Sequence, residues 1–158
     1  GIRRWDVRPA YMEAVGIDAG TGLIAGVYTT ILYTTLVSQR NILWAKPIAT
    51  IVIPGVYLIT AQFRLVGKDY LVSQGIDITI GVNSAVTTHE LSGVVFGTSN
   101  FASHGQSPRI HGSRVLSLNA GDTVRVISYC TAFTETLIND TGGAPQPAYF
   151  SIVRLGPQ

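Results

Sequence analysis

The chain has 158 residues, a formal charge of +2, 13% charged residues and 46% hydrophobic ones. That length suits one domain that buries roughly two thirds of its unfolded surface, and its scattered Lys and Arg residues form no phosphate-tracking stripe, which argues against a nucleic-acid partner. No apolar run reaches the roughly 18 residues of a membrane span, and a single cysteine, Cys130, rules out a disulfide within one copy.

Residues Gly1 to about Ala14 mix Arg3, Arg4, Trp5, Arg8, Pro9, Tyr11 and Met12 without helical or strand periodicity and read as an extended arm. The chain starts at Gly1 and not at Met, which fits loss of an initiator or excision from a precursor. Glycines at 16, 20, 22 and 26 then punctuate a loop-rich stretch, so residues 1–26 form an arm with its lead-in and 27–158 the folded domain. Val27 to Val37 is dense in β-branched and aromatic residues and predicts one long strand. Ile42 to Trp44 and Ile48 to Ile53 are short strands separated by Lys46-Pro47.

From Tyr57 to Leu65 the residues Tyr57, Ile59, Ala61, Phe63 and Leu65 share one phase, with Thr60, Gln62 and Arg64 on the other. This is a strand with one face in a core. Ile76, Ile78, Ile80 and Val82 repeat the period, and Leu91 to Phe96 is another strand. Gly97 to Gly112 is rich in Ser, Gly, His and Asn and predicts a long surface loop. Leu116 to Val126 reads as two alternating strands joined by a turn at Asn119-Ala-Gly-Asp122, a hairpin signal in which Asp122 caps backbone amides. A connection from Thr134 to Pro147 and a last strand from Ala148 to Leu155 complete the chain. Eight or more short strands with turns at near-regular spacing, and no convincing helix, predict an all-β sandwich or barrel.

Three of these segments carry a resemblance. Pro54-Gly-Val-Tyr57-Leu-Ile59, Leu116-Ser-Leu-Asn-Ala-Gly121-Asp122-Thr-Val124 and Tyr149-Phe150-Ser-Ile-Val-Arg-Leu155 resemble, in order and spacing, the C1q globular head and the wider tumour-necrosis-factor-like jelly rolls. The similarity spans roughly Ile31 to Leu155, with Ser151 standing where the family often has Gly. It implies a jelly-roll β-sandwich that assembles as a homotrimer, with Tyr57, Phe63, Tyr129, Tyr149 and Phe150 as residues of the core or of the trimer interface.

Motifs for catalysis are missing. His89, His104 and His111 have no metal-ligand spacing, and no nucleophile elbow, zinc-protease helix or cysteine cluster occurs. Neither a catalytic residue, a cofactor site nor a metal site is expected. Two binding features remain: Arg3, Arg4, Trp5, Arg8 and Tyr11 are residue types that anchor interfaces, and His104, Arg109 and His111 share one polar stretch that suits a ligand loop. Charged residues fall well below the usual quarter or so of a chain. A β-rich composition gives that result, and so does a surface partly covered by partners. By analogy with the company such folds keep, the expectation is a non-enzymatic protein of a virus particle, a trimeric phage capsid decoration or head-fibre protein on the virion surface that docks on capsid or other virion proteins. The alternatives are a fibre tip that binds a host glycan or protein, and a secreted or spore-surface C1q-like module.

Overall fold

The computed structural model describes residues 8–17, 22–65, 69–70, 74–96, 99–100, 109–130, 135–138 and 148–158. Its strands are β1 (Tyr11–Ile17), β2 (Gly22–Leu23), β3 (Thr29–Thr30), β4 (Tyr33–Arg40), β5 (Ile42–Ala45), β6 (Ile48–Ile51), β7 (Gly55–Leu65), β8 (Asp69–Tyr70), β9 (Gln74–Val82), β10 (His89–Phe96), β11 (Ser99–Asn100), β12 (Arg109–Leu118), β13 (Thr123–Cys130), β14 (Glu135–Ile138) and β15 (Tyr149–Gly156). No helix occurs among the described residues.

Two antiparallel sheets form the sandwich. The first runs β2-β14-β7-β15-β1-β4, with β12 also on β7; the second runs β10-β9-β13-β6-β5, with β3 also on β13. Successive strands keep crossing between layers, β4 to β5, β6 to β7 and β12 to β13, and this alternation makes the sandwich a jelly roll.

Inward residues follow from the period of two. Tyr57, Ile59, Ala61 and Phe63 of β7 meet Ile76, Ile78 and Ile80 of β9 and Val124 and Val126 of β13 in one buried cluster. Phe150 is its aromatic hub, with ring centroids 5.8 Å from Tyr33 and 6.1 Å from Trp44. Tyr33 is wholly buried and donates to the Gln62 carbonyl at 3.0 Å, and burial pushes its phenol well above the ordinary tyrosine range. Cys130 is buried in the same core.

The structure departs from the sequence reading at several places. The extended arm ends sooner than expected: β1 lies between β4 and β15, so the chain from Tyr11 is part of the first sheet. Val27 to Val37 is two strands, because Thr29 and Thr30 pair with β13 in the second sheet while Tyr33 pairs with β1 in the first. The predicted loop from Gly97 is already strand at Arg109, and the connection from Thr134 contains β14.

The hairpin reading of Leu116 to Val126 is also corrected. β12 pairs with β7 and β13 with β9, so the turn at Asn119 to Asp122 carries the chain from one layer to the other. Gly121 has φ +90°, a conformation glycine adopts without a steric penalty. Asp122 does cap amides: Oδ2 accepts from Asn119 N at 2.7 Å, and Oδ1 accepts from Asn83 Nδ2 at 2.8 Å. Asn83 returns the bond through Oδ1, which accepts from Thr123 N at 2.8 Å. Gly121 N donates to Ile51 O at 2.8 Å, and Ile51 N to Asp122 O at 2.9 Å. One turn thus joins three segments.

Two outcomes follow. Phe150→Ala lowers unfolding free energy by about 3–5 kcal/mol, through lost burial and a residual cavity, as read from denaturant midpoints. Asp122→Ala removes two side-chain bonds in a more exposed setting and costs about 1–2 kcal/mol by the same measurement.

Candidate functional site

Strand register arranges the outward face of the first sheet in rows. Arg40, Tyr11, Val153, Leu58 and Val115 lie side by side across β4, β1, β15, β7 and β12. The next row is Ser38, Glu13, Ser151, Thr60 and Ser113, and the next Thr35, Val15, Tyr149, Gln62 and His111. An apolar strip therefore crosses four strands beside a row of mostly small hydroxyl residues. Tyr11, Val153 and Val115 are exposed by 38%, 42% and 52%. A shallow cavity of about 420 Å³ opens on this face, lined by Tyr11, Met12, Glu13, Ser38, Tyr149, Ser151 and Val153.

The residues singled out from sequence scatter. Arg3, Arg4, Trp5 and His104 lie outside the described residues. Arg8 precedes β1, and its carbonyl accepts from Arg154 Nη1 at 3.0 Å. Arg154 also donates from Nη2 to Pro54 O at 3.0 Å, while its backbone N donates to Ala10 O at 2.8 Å. Gly55 makes room for that guanidinium, since a Cβ there would stand 2.5 Å from Arg154 Nε. Tyr11 points outward from β1. Tyr57, Phe63 and Phe150 are fully buried between the sheets. Tyr149 lines the first sheet's outward face, and Tyr129 lies on the outward side of the second sheet. Arg109 and His111 are exposed strand residues of β12, opposite Arg64 and Gln62.

A second recess, which the sequence reading missed, occupies the outward face of the second sheet. The register sets Tyr129 opposite Asp77, and Thr79 between Ile127 and Glu90. Tyr28 comes beside Tyr129 because the chain turns at Gly26, φ +75°, into β3 on the edge of β13. The two rings are 4.9 Å apart at an interplanar angle of 39°. With Thr79 and Thr87, whose hydroxyl oxygens are 2.8 Å apart, these groups line a cavity of about 270 Å³. Partial burial, and then the nearby Glu90, hold the Asp77 carboxyl above its usual range. The signal in the sequence was weak, because the groups are brought together by pairing across three strands.

Among the described residues, no group of three or more His, Cys, Asp and Glu side chains is placed to hold a metal ion, and no helix is long and apolar enough to cross a membrane.

No protein-family model matches the sequence. No curated protein sequence matches it either. Solved structures do. The chain is similar to murine APRIL crystallised at pH 8.0, with 14% identity and a TM-score of 0.59 over 94% of this chain and 100% of that one. The pH 5.0 crystal of murine APRIL gives 14% identity and a TM-score of 0.60, again over 94% and 100%. The Eiger TNF of S. frugiperda gives 14% identity and a TM-score of 0.62 over 96% of each chain. At this identity the likeness is one of architecture, and together with the two layers and their crossings it shows an all-β jelly roll of the TNF-like type.

Proposed function

We propose that the protein is a non-enzymatic interaction module that assembles as a homotrimer through the outward face of its first sheet. In this reading the trimer decorates the surface of a virus particle. The observation that carries the assembly step is the apolar strip of Tyr11, Val153, Leu58 and Val115, in which exposed Tyr11, Val153 and Val115 flank a half-buried Leu58 on one side of the sandwich. Burying apolar area contributes about 25 cal/mol per Å² before the costs of association are subtracted, so covering the strip favours association. Three copies about one axis bury equivalent strips in a closed assembly.

The finer step, docking on capsid or other virion proteins, is supported by composition. The chain is poor in charge, and Arg3, Arg4, Trp5 and Arg8 form a basic and aromatic segment leading into β1. Planar cations and large rings are favoured anchors at interfaces.

Light scattering on the purified protein at micromolar concentration is expected to give three times the chain mass of 16.9 kDa. The double variant Leu58→Asp/Val153→Asp is expected to run as a folded monomer, because desolvating carboxylates opposes association. A wild-type monomer, or a trimer untouched by the double variant, would rule out this face. Co-sedimentation with empty capsids is expected to be lost when residues 1–7 are removed while the trimer persists. Binding to host glycans with no binding to capsids would move the role to a fibre tip.

A further inference from the structure

We propose that the recess on the outward face of the second sheet binds an organic cation, the guanidinium or ammonium of a basic side chain presented by a protein partner. The site stands on the opposite layer from the apolar strip and does not depend on the trimer reading.

The geometry is built by the fold. Asp77 of β9 has Tyr129 of β13 on one side and Gly93 of β10, which has no side chain to fill the position, on the other. Glu90 opposes Thr79, one row away on the same face. Tyr28 and Tyr129 form the wall of the cavity, and Asp77 and Glu90 line the same space. Neither carboxylate has a hydrogen-bond or ion-pair partner among the described residues. Arg114 donates from Nη1 to the Glu90 backbone carbonyl at 3.0 Å. The threonines are occupied too: the Thr79 hydroxyl lies 3.1 Å from Ile127 O and 2.8 Å from the Thr87 hydroxyl.

Two carboxylates that line one cavity repel each other, and a cation between them removes that cost. Tilted aromatic faces beside the acids add a second attraction for the same class of ligand, since a ring face is electron-rich. A planar guanidinium satisfies both demands, stacking on a tyrosine while offering paired donors to a carboxylate. A neutral sugar can use the rings and accept or donate hydrogen bonds, but leaves the repulsion between the acids in place. The cavity, at about 270 Å³, accommodates one side-chain head group and not an extended oligosaccharide.

The raised Asp77 value makes protonated Asp77 the form that favours folding. That contribution is present below the unfolded-state value and is lost as pH rises through the folded one. Once ionised, Asp77 faces Glu90 on β10 and the rings of Tyr129 on β13 and Tyr28, with Arg114 held at the Glu90 carbonyl. Above the pH at which Asp77 ionises in the folded chain, Asp77→Asn therefore raises the unfolding midpoint while weakening the ligand. A purely structural role for Asp77 would not separate the two in this way.

The test titrates Nα-acetyl-arginine methylamide, and its neutral citrulline counterpart, into the full chain followed by NMR. Saturable shifts are expected at Tyr28, Asp77, Thr79, Glu90 and Tyr129 with the arginine compound and not with citrulline. Asp77→Asn, Glu90→Gln and Tyr129→Ala are each expected to weaken binding roughly threefold to tenfold. The trimer-disrupting variant Leu58→Asp/Val153→Asp is expected to bind as the parent does, which separates this site from the assembly face. Equal binding of citrulline, no saturation by 10 mM (about the weakest affinity a single exposed cation site would give), or unchanged affinity in both carboxylate variants would each overturn the proposal. So would tighter saturation of the same resonances by a neutral oligosaccharide.

Discussion

Everything on either face of the first sheet depends on the two-sided pairing of β7. This strand is hydrogen-bonded along most of its length to β12 on one edge and to β15 on the other. Its phase is dictated by Tyr57, Ile59, Ala61 and Phe63, whose burial anchors one face in the core. Because side chains alternate with a period of two, a slip by one residue would drive all four into water. Phase then propagates outward through register, which points Phe150 and Ile152 of β15 inward and sends Tyr149, Ser151 and Val153 out. The apolar strip and the core are two consequences of one alignment.

That phase was legible in the sequence, and so was the class of fold. Strands at 42–45, 48–51, 55–65, 74–82, 123–130 and 149–156 overlap runs read as strands, with the period of two plainest in 57–65 and 76–82. Pairing was another matter. Leu116 to Val126 has the turn chemistry of a hairpin, yet Leu118 belongs beside Gly55 and Val124 beside Val82. A tight Asn-x-Gly-Asp turn reverses the chain equally well within a sheet or between sheets, and only distant partners decide which. β12 hid its first half for a related reason: Arg109, His111 and Ser113 lie on the outward face, so the short polar stretch looked like loop.

Sites were less legible than strands. Five aromatics shared one description in the sequence, but the fold divides them among three places, with Tyr57, Phe63 and Phe150 in the core and Tyr149 and Tyr129 on opposite outer faces. Asp77 stands between Ile76 and Ile78 with no acidic neighbour in sequence, and register sets it beside Tyr129 and near Glu90. A cross-strand constellation has no fixed spacing along the chain, so no motif announces it.

Arg154 has a mechanical consequence. Its guanidinium grips the carbonyls of Arg8 and Pro54, at the point where the N-terminal segment enters β1. A pull applied at Arg8 along the axis of β1 loads a strand bonded on one edge to β15 and on the other to β4. Loaded lengthwise, those two ladders resist in shear, with many hydrogen bonds sharing the force at once, where a strand peeled from an edge would yield them singly. The segment that leads into the sandwich is attached as a rope is to a cleat, and the strength of that hold depends on Gly55 leaving room for one arginine.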